Sequence, residues 1–155
     1  MGSQRARGRR PWSPESVDAD LVTLVDRVAR RMRKADRVGR TVVLRLRFDD
    51  YTRATRSLTL PHPTSSTERI LATARSLFVE ALPTIERRGL TLVGISVANL
   101  DDADAIQLLL PFDPRENEAL DLVLDRVRER FGTQAITRAV LLGRSPGITM
   151  PMLPD

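Results

Sequence analysis

Cysteine is absent from the 155 residues, which excludes a disulfide framework and thiolate metal sites and removes any argument for an oxidising compartment. Histidine occurs once, at His62, so chemistry that needs a pair of imidazoles is excluded as well. No apolar run approaches the roughly 20 residues needed to cross a bilayer, and no signal-like hydrophobic stretch follows the basic start. A soluble, cytoplasmic, monomeric protein without membrane contact is therefore expected. Aromatic residues make up only 4% of the chain, too few for an interface built on stacked rings. Lysine is also nearly missing: Lys34 stands alone beside 24 arginines.

What is present is unevenly distributed charge. An excess of arginine over lysine is also what GC-rich codon usage produces, so its number says little, but its position says more. Residues 1–98 carry 19 basic and 10 acidic side chains, net +9, whereas residues 99–155 carry 6 and 10, net −4. A basic body with an acidic tail piece points to a polyanion-binding surface on the first part only. The length suits one domain with an appendage.

Periodicity supplies the elements. Residues 4–10 alternate so that Arg5, Arg7 and Arg9 share one side of a possible edge strand. Ser13-Pro14 opens a helix as N-cap and first helical residue. Val17, Leu21, Leu24, Val25, Val28 and Met32 share one face until about Asp36, and Gly39 is the expected stop. Thr41 to Phe48 alternates strictly, with Val42, Leu44, Leu46 and Phe48 inward and Val43, Arg45 and Arg47 outward. After an Asp49-Asp50 turn, Arg53 to Leu60 returns with Leu58 and Leu60 inward and Arg53, Thr55, Ser57 and Thr59 outward. Pro61-His62-Pro63-Thr64 is expected as a linker. Ser65 to Glu68 has capping-box spacing ahead of a second amphipathic helix through Ile70, Leu71, Ala74, Leu77, Phe78 and Ala81, limited by Pro83. Leu90 to Val97 is the last strand.

The order strand, helix, strand, strand, helix, strand specifies an α+β fold. It is a split βαβ (βαββαβ) two-layer sandwich whose four-stranded sheet carries two helices on one face and leaves the other free. Residues 4–98 form that domain and 99–112 an acidic linker with a docking peptide. Residues 113–142 are a helical extension through Leu120, Val123, Leu124, Val127 and Phe131, and 143–155 a loose tail.

The outward Arg45, Arg47 and Arg53, interleaved with Thr55, Ser57 and Thr59, offer cations and hydroxyl donors suited to phosphate oxygens; the bland alternative is a solvated face made arginine-rich by codon bias. The absence of outward aromatics argues against base stacking of the kind found in RNA-recognition domains. Asp49-Asp50 are turn residues whose carboxylates diverge, not a magnesium pair. The segment Gln107-Leu108-Leu109-Leu110-Pro111-Phe112 has the make-up of a docking peptide, the alternative being an ordinary edge strand with a turn.

Taken together, Gly39 to Tyr51 with Thr55-Arg56-Ser57, Thr67 to Arg75, and Leu92-Val93-Gly94-Ile95-Ser96-Val97 resemble the C-terminal little finger domain of bacterial Y-family translesion DNA polymerases of the DNA polymerase IV type, over nearly all of residues 4–112. The resemblance implies non-specific binding to the backbone of a primer-template duplex through Arg5, Arg7, Arg40, Arg45, Arg47, Arg53, Thr55, Arg56 and Ser57. It also implies docking to the sliding clamp, the DNA polymerase III beta subunit, through Gln107, Leu108, Leu110, Pro111 and Phe112. The catalytic carboxylates and magnesium of such an enzyme belong to palm and fingers segments, so no catalytic or metal residue and no cofactor is expected in this chain. An independent nucleic-acid-binding regulatory protein of the same fold is the alternative.

Overall fold

A strand with one apolar and one basic face must cover the apolar face. In the computed structural model, which describes residues 1–8, 11–106 and 116–143, two helices provide that cover. The order is β1 (Gly2–Ala6), α1 (Pro14–Lys34), β2 (Arg37–Arg47), β3 (Arg53–Thr64), α2 (Thr67–Arg88), β4 (Leu92–Asp102), α3 (Ala103–Ile106) and α4 (Glu116–Phe131), followed by a 3-10 turn at Ala139–Leu141. The strands form one antiparallel sheet in the order β1-β4-β2-β3. β1 and β2 thus run parallel with β4 between them, and β3 and β4 run parallel with β2 between them: two interleaved split βαβ units, the α+β architecture expected from the sequence.

Val42, Leu44 and Leu46 of β2, Phe48 just beyond its end, and Val93, Ile95 and Val97 of β4 form the sheet side of the core. Val17, Leu21, Leu24, Val28 and Met32 of α1 and Ile70, Ala74, Leu77, Phe78 and Ile85 of α2 close it. The Ser13 hydroxyl accepts from the Ser16 N–H while the Ser16 hydroxyl accepts from the Ser13 N–H, a reciprocal cap that fixes the start of α1.

Four boundaries differ from expectation, each for a physical reason. Gly39 does not stop α1; the helix ends at Lys34 and Asp36 takes the left-handed turn at φ 49°, a conformation Asp tolerates. Gly39 lies instead inside β2 against the core, where a Cβ would overlap the Val97 side chain and crowd Leu100 and Met32. Pro83 does not limit α2: its ring is exposed, and burial of Ile85 beyond it carries the helix on to Arg88, outweighing the lost backbone bond. Pro61-His62-Pro63 belongs to β3, possible because β3 is an edge strand and the missing N–H groups break no inner ladder. β4 runs past residue 98 to Asp102, pairing Leu100 with Gly39 and Asp102 with Arg37, the last pair joined by an ion pair of 2.8 Å.

The extension α4 departs most. Its helix forms as the spacing of Leu120, Val123, Leu124, Val127 and Phe131 predicts, yet Leu120, Val123 and Phe131 are 60%, 53% and 68% exposed. The helix docks through charge. Asp121 and Asp125 engage Arg33 of α1 at 3.2 and 2.7 Å, Arg128 engages Asp26 at 3.0 Å, and Asp121 accepts from the Thr67 N–H at 2.8 Å. A carboxylate at the open N–H groups of α2 is favoured by the helix dipole.

Gly89, which ends α2, has φ 68° and ψ 178°, a region essentially closed to other residues. A Cβ there would also overlap the Asp49 carboxylate. Gly89→Ala is expected to lower stability by about 2–3 kcal/mol in urea unfolding, and a variant as stable as the parent would show that the turn re-forms without strain.

Candidate nucleic-acid interface

The face of the sheet turned away from the helices is set by cross-strand register. β2 presents Thr41, Val43, Arg45 and Arg47, opposite Thr59, Ser57, Thr55 and Arg53 of β3 and Ala98, Ser96, Gly94 and Leu92 of β4; β1 adds Gly2, Gln4 and Ala6 opposite Ser96, Gly94 and Leu92. None of these side chains is acidic. Arg47 and Arg53 are direct cross-strand partners, and like charges so placed repel unless an anion bridges them. Arg45 is exposed, and beside it Gly94 has no side chain; a Cβ there would lie 3.1 Å from that of Gln4. The β4–β1 half of the face is therefore low and small-residued, and the β2–β3 half cationic.

Local bonds order Arg47 at one end of the face and the hydroxyls at the other. Arg47 Nε donates to Thr91 Oγ1 at 3.2 Å, and its guanidinium lies 5.9 Å from the centre of the Tyr51 ring. At the other end the Thr41 and Thr59 hydroxyls lie 3.0 Å apart, and Asn99 Nδ2 donates to the Thr41 hydroxyl at 2.8 Å. The hairpin acids point elsewhere. Hydrogen bonds from Arg88, and then from Thr52, lower the Asp50 carboxyl to about 2, so at neutral pH it is an ionised partner of the last turn of α2. Among the described residues no three His, Asp or Glu side chains could together hold a metal ion, and no helix is long and apolar enough to cross a membrane.

Of the expected backbone-binding residues, Arg45, Arg47, Arg53, Thr55 and Ser57 share this open face. Arg40 sits at the irregularity between Gly39 and Thr41, exposed, with Nε donating to the Leu60 carbonyl at 2.8 Å. Arg56 has the opposite parity, paired with inward Leu44, and lies exposed on the β3 edge. Arg5 and Arg7 do not join the face. Arg5 pairs with inward Val93 and turns to the helix layer, where it meets Asp20 at 3.0 Å; Arg7 also bonds Asp20 and donates to Ser16 Oγ at 2.6 Å. Alternation correctly put the two on one side, but the buried Asp20 decides which side that is. The low strip Gly94, Ser96 and Ala98 was not singled out from sequence, although its outward parity follows from the inward Val93, Ile95 and Val97. Gln107, Leu108, Leu110, Pro111 and Phe112 lie outside the described residues, as does Arg9. The chain approaching the peptide is tied to the fold by the Ala103 N–H, which donates to the Asp36 carbonyl at 2.9 Å.

Comparison with known proteins agrees with this architecture. Residues 1–110 match the impB/mucB/samB family C-terminal domain. A DNA polymerase IV 2 of Mesorhizobium japonicum is 36% identical over 148 residues, covering 87% of this chain and 36% of the relative. A DNA polymerase IV of Moorella thermoacetica is 39% identical over 129 residues, covering 83% of this chain and 32% of the relative. The chain thus spans about a third of the length of these relatives. Among solved structures, a complex of the beta-clamp processivity factor with the little finger domain of PolIV superposes with a TM-score of 0.52 at 26% identity, over 64% of this chain and 87% of that one. A post-insertion binary complex of Dbh DNA polymerase shares the fold, with a TM-score of 0.57 at 14% identity over 65% of this chain and 28% of that one. The chain belongs to the impB/mucB/samB family C-terminal domain, the little finger of Y-family DNA polymerases of the DNA polymerase IV type.

Proposed function

We propose that this chain is the DNA-gripping and clamp-docking part of a translesion DNA polymerase and performs no nucleotidyl transfer itself. The observation that carries the reading is the open sheet face. Arg45, Arg47 and Arg53 are gathered there without a carboxylate, two of them directly opposed. Beside them runs a strip of glycine, serine and alanine on which a duplex backbone can lie close. Such a face binds phosphates wherever they occur, so grip is independent of sequence. Arg40 at its rim and Arg56 on its edge extend it. The segment 107–112 follows the last strand and supplies the leucine and phenylalanine anchors for a hydrophobic pocket on the sliding clamp. The primer-template duplex and the clamp are the partners, and magnesium is the cofactor of the catalytic segments.

Titration of duplex oligonucleotides at several salt concentrations tests the grip. Neutralising about four phosphates gives a slope of log affinity against log salt near −3 to −4. Replacing Arg45 and Arg47 together by Ala should weaken all sequences alike and reduce the slope by about 2. Absence of binding at low salt would leave the face a merely solvated surface, and a sequence-selective loss would indicate base readout. In the same preparations, primer extension with magnesium and four nucleotides should yield no product.

A further inference from the structure

The hairpin between β2 and β3 breaks a rule that its own geometry sets. Phe48 donates its N–H to the Thr52 carbonyl at 2.9 Å, and its carbonyl accepts from the Tyr51 N–H at 3.0 Å. The turn is thus a three-residue loop, Asp49-Asp50-Tyr51, whose last residue takes the left-handed conformation at φ 64°. Glycine is the residue favoured at that place in such a loop, because a Cβ is strained there. Among the described residues two other non-glycines have positive φ, Asp36 and Asn99, and both are of the short polar kind that tolerates it. A bulky ring does not. Little burial offsets the strain, since Tyr51 is 64% exposed. Local rules broken without a gain in packing cluster at functional positions.

The two carboxylates of the loop turn to the helix layer: Asp50 pairs with Arg88 at 2.6 Å, and Asp49 sits where a Cβ on Gly89 would meet it. The Tyr51 ring lies instead 5.9 Å from the guanidinium of Arg47, which faces outward opposite Arg53. Phe48 and Phe78 are buried, Trp12 packs against the core, and Phe131 is carried by α4. Among the described residues Tyr51 is therefore the aromatic that borders the open face. We propose, resting on the reading of that face as a backbone grip, that Tyr51 stacks on an unpaired base adjoining the duplex whose phosphates Arg45, Arg47 and Arg53 hold. Inside a duplex each base is covered by its neighbours, so a ring at the end of a phosphate-binding face reaches only a base that has left the stack. One ring takes one base and reads no sequence, since every base has a π-face. That sets it apart from a platform of strand-borne aromatics. The domain thereby grips DNA best where duplex passes into single strand.

Duplexes sharing one paired segment, either blunt, with a short overhang, or with an abasic overhang of the same length, separate stacking from charge, because the two overhangs carry the same phosphates. The full chain should bind the ordinary overhang about fivefold or more tightly than the abasic one, the lower end of what one base stacked on an aromatic side chain contributes. Tyr51→Gly should abolish that preference yet melt no lower than the parent, since glycine relieves the left-handed strain; Tyr51→Phe should keep the preference. With blunt duplex, Tyr51→Gly should hold its salt slope, because Arg47 stays bonded to Thr91 and no charge is lost. Tyr51 is the single tyrosine of the chain, so tyrosine-labelled protein reports one ring, whose proton signals should move upfield with the ordinary overhang and not with the abasic one. Equal affinity for the two overhangs would overturn the proposal while leaving the grip intact, whereas failure to bind any of the duplexes would remove the grip and the proposal together. A loss in Tyr51→Gly that is equal for all three duplexes would make the ring only a support for Arg47, and a lower melting temperature would place it in the fold; either result overturns the stacking role.

Discussion

Replacing Leu110 and Phe112 together by Ala is expected to weaken binding to the bacterial sliding clamp by about 100-fold or more, with the salt slope of DNA binding unchanged. The size of the effect follows from how such interfaces are built: a few apolar anchors carry most of the free energy, each costing about 2 kcal/mol or more when truncated, and a six-residue peptide has few other contacts to compensate. The starting affinity is expected to be modest, on the order of micromolar, because fixing a short segment offsets part of its apolar gain. Gln107→Ala should cost less, since a rim hydrogen bond contributes less than a buried apolar anchor. Calorimetry with purified clamp measures the affinities, and thermal melting of the variant separates docking from folding. A double variant that binds clamp normally, or melts several degrees early, would place these side chains in the fold and end the docking hypothesis.

The residues expected at the proposed interface were unequally legible from sequence. Eight residues of strict alternation in Thr41 to Phe48 fixed both which side chains of β2 are buried and which cations face outward, because period-two geometry allows one answer once the apolar parity is known. Arg5 and Arg7 lacked that reference. Their short strand has no apolar parity, so their orientation depends on Asp20, thirteen and more residues away in sequence. The helix stops show the same limit. Gly39 and Pro83 carry strong local signals, but Asp36 could take the left-handed turn, and the burial of Ile85 overrides the proline.

The docking of α4 extends the lesson to energetics. Apolar spacing announced the helix, but its attachment is ionic, and Asp121 is the central group, only 5% exposed. It accepts from Arg33 Nη1 at 3.2 Å and from the Thr67 N–H at 2.8 Å. Asp121→Ala therefore removes half the counter-charge of a buried guanidinium and leaves a helix N-terminal donor unpaired. Breaking a buried pair from one side costs about 3–5 kcal/mol, but a terminal helix can detach instead of unfolding the whole domain, so the loss is capped at the docking energy of α4. The expected result is early hydrogen exchange throughout 119–131 with the sheet protected as before. Asp121→Asn should fall between, since it keeps an acceptor for Thr67 but loses the charge that Arg33 requires. Unchanged α4 protection in Asp121→Ala would mean that Leu124 and Val127, the half-buried apolar residues of the helix, hold it, and that the ion pairs merely decorate a hydrophobic contact.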